Sequence, residues 1–372
     1  MHILVTNDDG PPSAQSSPYI STFVRTLRAP PYNHTVSVIL PHTQRSWIGK
    51  AHLVGHTLRP TYFRPRPTAS DPNAGIVTSR PLPPRSQEEE WVLLDSTPAS
   101  CVQVGLHHAF RARGLVDLVV SGPNYGRNTT ALFALSSGTL GGALEAACAA
   151  VPAVALSFAF FDRNHDAAII AQACAHGARV VDALWRRGGW AAPGPLGSVS
   201  RAEAEAEAAG EGGRWAGARA GAGAGAGVGA VQLYSVNVPL VDGVGQRRTL
   251  WTSVLANTWK PASSCFQEIE VPAEEDEDAE EGEHEIREGT DGGSSEMVPG
   301  PAPQGDVEEA KGRPRLMHKH YKWAPKFADV YESVEKSEPG NDGWVVKERC
   351  TSVTPLMANF MHVPGFEGEL EL

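Results

Sequence analysis

The chain has 372 residues, 41% of them hydrophobic and 7% aromatic, which is enough to bury a globular core. Its net charge of −11 at pH 7 argues against a nucleic-acid partner, but the acidity is local: residues 268–309 hold 17 Asp and Glu against one Arg, and the remainder is mildly basic. Five Cys without a CxxC pair argue against a disulfide framework or a zinc site, and no apolar run approaches the ~20 residues of a membrane span, so the sequence reads as intracellular and cytoplasmic, with no membrane partner.

Residues 2–6 form a β-branched apolar run that stops at Asn7-Asp8-Asp9-Gly10, which predicts a buried strand ending in a polar turn. Ile20, Phe23, Val24 and Leu27 then follow helical spacing behind Ser16-Ser17-Pro18, read as a cap and first-turn proline. A second apolar run at 36–40 completes a strand–helix–strand unit, which implies a parallel sheet with a right-handed crossover. The alternation continues with a strand at 92–94, a helix opened by Thr97-Pro98 and running to about 113, and a strand at 116–120. A polar loop, a helix from about Gly138, a strand at 151–158 and a helix at 167–184 follow. Strand-like pieces recur at 232–239, 249–255 and 344–356. The expected fold class is α/β: three layers around a doubly wound, mostly parallel sheet, with a C-terminal β-rich extension.

Two stretches interrupt this pattern. Residues 203–230 are Gly/Ala-rich without a packing period, and 268–315 are the acidic tract; both read as disordered insertions, since neither composition buries enough apolar surface to offset the entropy of ordering. Because apolar strands resume after each, a single domain over 1–372 is expected.

Four segments carry candidate chemistry. Asp8 and Asp9, adjacent at the end of a buried strand, repel each other unless a cation lies between them, and Mg²⁺ or Mn²⁺ takes such carboxylates together with neutral oxygens and waters. The competing reading is a plain turn. The loop at 121–128 offers the amides of Asn124 and Asn128, and Ser137-Gly138-Thr139 opens an amphipathic helix whose free N–H groups suit a phosphate or, more simply, a cap made by Ser137. The loop at 44–50 brings Ser46 between two cations. All four follow strands or open helices at one edge of a parallel sheet, where ligands bind.

In this order, ILVTNDDG, the Arg45-Ser46 loop, STPASCV, VVSGPNYGRN, SSGTLGGALEA, VNVP and SVTPL resemble the motif series of the SurE family, metal-dependent phosphatases of nucleoside monophosphates. NDDGPPS and RSWIGK resemble its fungal branch, some members of which carry a tubulin–tyrosine-ligase-like domain that these 372 residues lack. The resemblance implies that Asp8, Asp9, Ser46 and Asn124 ligate the divalent metal. Asn7, Asn128, Ser137, Gly138 and Thr139 would line the phosphate pocket, and Asp8 or Asp9 would take the proton of an attacking water. It also implies a homodimer or higher oligomer, here through 320–356. Ser100 and Trp47 depart from the usual pattern, and Trp47 beside a proposed ligand narrows the pocket. His42 and His52 flank the Ser46 loop as candidate proton donors or bystanders. The competing function is a catalytically weak interaction module that binds a partner through the acidic insertion. A dinucleotide oxidoreductase fits worse, since Asp8-Asp9-Gly10-Pro11-Pro12 stands where glycines are needed.

Overall fold

A computed structural model of the chain describes residues 1–83, 86–162, 165–190, 231–261, 263–272 and 317–359. They belong to two compact units, one of 1–258 with 330 onward and one of 259–329.

The first unit is built on a ten-stranded sheet. In chain order it comprises β1 (His2–Thr6), α1 (Ile20–Arg28), β2 (Thr35–Pro41), β3 (Pro60–Pro65), β4 (Gly75–Thr78), β5 (Trp91–Leu94), α2 (Pro98–Val104) and β6 (Leu118–Tyr125). There follow α3 (Thr130–Ser136), α4 (Gly138–Cys148), β7 (Ala153–Ala159), α5 (Ala167–Arg187), β8 (Leu233–Pro239) and β9 (Thr249–Trp251). The second unit carries the hairpin of β10 (Phe266–Pro272) and β11 (Met317–Trp323). The chain rejoins the first unit within α6 (Phe327–Glu335) and ends its described elements with α7 (Asp342–Lys347) and β12 (Thr351–Leu356).

Spatially the strands run β4-β3-β5-β2-β1-β6-β7-β8-β12-β9. The six from β5 to β8 are parallel, while β3, β4 and β12 enter antiparallel to their inner neighbours. Strand β1 shows how three layers arise. Ile3 and Val5 join the core that holds Phe23 of α1 and Cys174 of α5, whereas Leu4 points the other way, into the core of Val102 on α2 and Leu140 on α4. A strand buried on both faces reads as a continuous apolar run, which is why residues 2–6 show no alternation. The doubly wound, mostly parallel fold expected from the sequence is the one observed.

Differences lie at the edges of elements. Helix α1 starts at Ile20 after Tyr19, with no side-chain cap; Ser17 is instead drawn into the turn after β1, where its hydroxyl donates to the Gly10 carbonyl at 3.1 Å. The helix expected to reach 113 ends as α-helix at Val104 and continues as a wider turn over Gly105–Ala109. Strand β6 runs to Tyr125, five residues past the expected end at Val120, through an irregular register between Ser121 and Asn124. There Gly122 takes φ +126, and a Cβ on it would lie 2.0 Å from the Leu156 carbonyl oxygen, so the close passage of β7 admits only glycine. Residues 344–347, expected as strand, are helix, because Asn341 caps the Trp344 N–H at 2.8 Å. The loop at 130–136 is helical too. Of the acidic stretch expected at 268–315, Glu268 and Glu270 belong to β10; 273–316 and the Gly/Ala segment at 203–230 lie outside the described residues.

Candidate active site

Strand β1 passes through α1 to β2 on one side and is flanked by β6 on the other, so the crevice beyond the carboxyl ends of β1 and β6 is the switch point of the sheet. The turn that fills it is fastened by Asn7. Its Nδ2 donates to the Gly10 carbonyl at 2.9 Å, its Oδ1 accepts the Gly10 N–H at 3.1 Å, and Gly10 takes φ +85. That turn delivers Asp8 and Asp9 into the crevice, 3% and 2% exposed.

The two carboxylates are held by different neighbours. Thr139 Oγ1 donates to Asp8 Oδ1 at 2.7 Å, and the backbone amides of Gly138 and Thr139 add hydrogen bonds to the same group. Helix α4 therefore aims its N-terminus at Asp8, across a 67° bend from α3 at Ser137. The approach is tight: a Cβ on Gly138 would lie 2.8 Å from Asp8 Cβ. Asp9 Oδ2 accepts the Tyr125 N–H at 2.6 Å from the end of β6, with the Gln44 side chain also favouring its charged form. Burial pushes Asp8 up to about 6 in spite of these donors. Asp9 is raised well above the usual carboxylate range, first by burial and then by the charge of Asp8.

The loop at 44–50 closes over this pair. The Arg45 N–H donates to the Asp8 carbonyl at 2.7 Å and the Gly49 N–H to the Ser136 carbonyl at 2.9 Å, so Ser46 is carried between two anchors, exposed to solvent. Trp47 beside it adopts φ +62 and meets Phe133 edge-on, ring centres 5.7 Å apart. Asn124 donates from Nδ2 to the Gly126 carbonyl at 2.9 Å, which leaves its Oδ1 as the atom for a cation. Ser137 accepts the Leu140 N–H at 3.1 Å as the cap of α4. Asn128 lies further along the rim, its N–H on Asn237 Oδ1 at 2.8 Å and its Nδ2 on Ser157 Oγ at 2.9 Å.

Asp8, Asp9, Gly138 and Thr139 are thus brought into direct contact, with Ser46 and Asn124 on segments bonded to the pair. Asn7 and Ser137 spend hydrogen bonds on local structure, and Asn128 ties its loop to β7 and β8. His42 lies 3.8 Å from Asp95. His52 meets Ser100 Oγ at 2.9 Å and Glu145 at 3.4 Å, seven residues along α4 from Gly138 and so about 10 Å from Asp8's contacts. Sequence reasoning missed Tyr125, which acts through its backbone and has no side-chain signature, and Gln44. It also missed Asn237, fully buried with Nδ2 unpartnered among the described residues, a donor that an anionic ligand would satisfy.

Among the described residues no three His, Cys, Asp or Glu converge on one point. The donor set is instead two carboxylates with neutral oxygens, which fits Mg²⁺ or Mn²⁺ and not zinc. Two acids buried side by side, both resisting ionisation, are the observation that asks for a cation.

A family model described as "Survival protein SurE" matches residues 3–261. A probable tubulin–tyrosine ligase of Saccharomyces cerevisiae is 28% identical over 405 residues, covering 100% of this chain and 43% of that protein. The 5'-nucleotidase SurE of Geobacter metallireducens is 33% identical over 188 residues, 50% of this chain and 60% of that protein, and that of Cytophaga hutchinsonii is 34% identical over 165 residues, 44% and 52%. The chain spans about half the length of the curated relatives it matches. Among solved structures, the SurE protein from Aquifex aeolicus aligns with a TM-score of 0.49 at 17% identity, over 97% of this chain and 95% of that one.

Proposed function

The chain belongs to the SurE family, and from that premise we propose that it is a divalent-metal-dependent phosphomonoesterase acting on nucleoside 5'- or 3'-monophosphates. The observation that carries this reading is the buried Asp8–Asp9 pair, clasped between the end of β6 and the start of α4. Asp8, Asp9, Ser46 and Asn124 would hold Mg²⁺ or Mn²⁺. When bound, that ion supplies positive charge to a phosphoryl oxygen and a water of lowered pKa. Asp9, held by a single backbone N–H and the Gln44 amide, takes the proton of the attacking water at its carboxylate. Asp8 is fixed by α4 and contributes orientation and charge. The Ser137 hydroxyl, whose oxygen caps the helix, keeps its own proton to donate to a phosphate oxygen. The amides of Gly138 and Thr139 act on the phosphate through Asp8, a revision of the role their motif suggests. The ligase activity named for the yeast relative is not carried over, since the chain matches less than half of that protein.

The test is hydrolysis of nucleoside monophosphates and an aryl phosphate with Mn²⁺ or Mg²⁺, before and after chelation. Asp9→Asn is expected to lower turnover by more than about 100-fold. It should also remove the rise in melting temperature that Mn²⁺ gives the wild type, without lowering that of the chelated protein. Turnover surviving in folded Asp9→Asn sinks the assignment. Mn²⁺ stabilisation with no hydrolysis of any substrate would favour the non-catalytic interaction module.

A further inference from the structure

Two arginines stand at the same rim with no acid among the described residues paired to either. Arg127, one residue before Asn128, donates from Nη2 to the Phe160 carbonyl at 2.9 Å and places its guanidinium carbon 4.9 Å from the centre of the Phe161 ring. Arg349 sets its own guanidinium carbon 3.4 Å from the centre of that ring. Among the described residues neither side chain forms an ion pair; burial first, and then the charge of Arg349, depresses the Arg127 pKa, against the opposing effect of Tyr331, whose ring centre lies 5.7 Å from the Arg127 guanidinium carbon. Each gains something from the ring face, but two like charges on one aromatic, unneutralised, are a cost that an anion would turn into a gain.

The backbone points the same way. Arg349 follows α7 in the left-handed conformation, φ +58, where glycine is the usual residue and any other is strained by about 1 kcal/mol. The guanidinium carried at this position is the one that reaches over Phe161. The location also fits. Phe160 and Phe161 follow the carboxyl end of β7, two strands from β1, hence about 10 Å along the rim from Asp8 and Asp9. Arg127 is two residues beyond Tyr125, whose N–H holds Asp9, so at most ~7 Å of chain separates them. These are the dimensions of one nucleotide.

We propose that Arg127 and Arg349, arranged around Phe161, form a second anion subsite for a further phosphoryl group on the substrate, so that the preferred substrate is a nucleoside bisphosphate with one phosphate at the Asp8–Asp9 pair and the other on the arginines. This rests on the phosphatase reading for the first phosphate, and the experiment separates the two.

With the full chain and Mn²⁺, kcat/KM is measured for adenosine 5'-monophosphate and adenosine 3',5'-bisphosphate, and calorimetry gives the Kd of each. The expected wild-type preference for the bisphosphate is about tenfold or more, carried by KM, as one or two charge-assisted hydrogen bonds would give. Arg349→Gln is expected to bring the ratio of the two nucleotides close to one, with Arg349→Lys between. Arg349→Gly removes the charge while suiting φ +58, so it is expected to raise the melting temperature and still lower the ratio; a merely structural arginine would not behave so. A wild-type ratio at or below one, or a ratio unchanged in Arg349→Gln and Arg349→Gly, overturns the subsite. Should neither nucleotide be hydrolysed, the phosphatase reading fails on its own, and the subsite is judged by binding: weaker bisphosphate binding in Arg349→Gln upholds it, and equal Kd values overturn it.

Discussion

Thr139 belongs to a motif that looks made for phosphate, yet its hydroxyl is committed to Asp8 across 131 residues of sequence. Thr139→Val keeps the shape and removes the donor from a buried carboxylate, so a loss of about 1.5–3 kcal/mol in stability is expected. Turnover should fall as well, since the carboxylate is no longer oriented; denaturant titration and steady-state kinetics check both. The same pair sets a pH dependence. Folding raises Asp8 from the unfolded carboxylate value of about 4 to about 6, with Asp9 raised also. The folded chain therefore holds protons that the unfolded chain has released. Their contribution to stability is fully present below pH ~4 and is lost as pH rises through the folded values. Melts of the chelated protein should show this decline set in above pH ~4 and continue through pH 6, and Asp9→Asn should flatten it. Asp8 and Asp9 were legible because two adjacent acids after an apolar run are a conflict visible in sequence alone. The partners of Thr139 and Asn128 were not, because a hydroxyl or amide does not announce which distant group it will meet.

Among elements, the packing of α4 against the loop at 44–50 matters most to the site. A Cβ on Gly141 would lie 2.1 Å from the Gly49 carbonyl oxygen, so the helix touches the loop backbone there without a side chain between them. Gly141→Ala would gain about 1 kcal/mol of helix propensity, but overpacking typically costs 1–3 kcal/mol and pushes away the loop that carries Ser46. The expected outcome is lower stability and a larger loss in kcat than in the melting temperature of the metal-free protein. Element types came through well wherever an apolar period was long: β1, α1, β2, α4, β7 and α5 fall close to their expected positions. What failed were local contests. The strand β6 carries on through Gly-Pro-Asn-Tyr because β7 lies beside it, and residues 344–347 coil because Asn341 supplies a cap that outweighs their β-branched content. Strands β3 and β4 were missed because β3 is bounded by prolines and buries only Phe63, while β4 is four residues long and mostly exposed.

At the scale of the whole molecule, the two long segments outside the described residues, 191–230 and 273–316, are flanked by paired residues: Trp190 bridges Val231, and Pro272 pairs Met317. Loop closure there costs little more for a long segment than for a short one. Removal of 203–230 is accordingly expected to leave the melting temperature within about 2 °C and turnover near wild type, by calorimetry and kinetics. The doubly wound body was readable because strand and helix alternate through most of the chain, whereas a small second unit with its own hairpin was hidden inside a charge run. The sheet order carries one more consequence. Strand β9 is attached only through β12, which wedges between it and β8, although β12 is more than 90 residues later in the chain. During synthesis the edge of β8 must therefore wait, bare, until residue 356 clears the ribosome, so the nascent protein passes through a sticky half-made stage in which a chaperone's protection would count most.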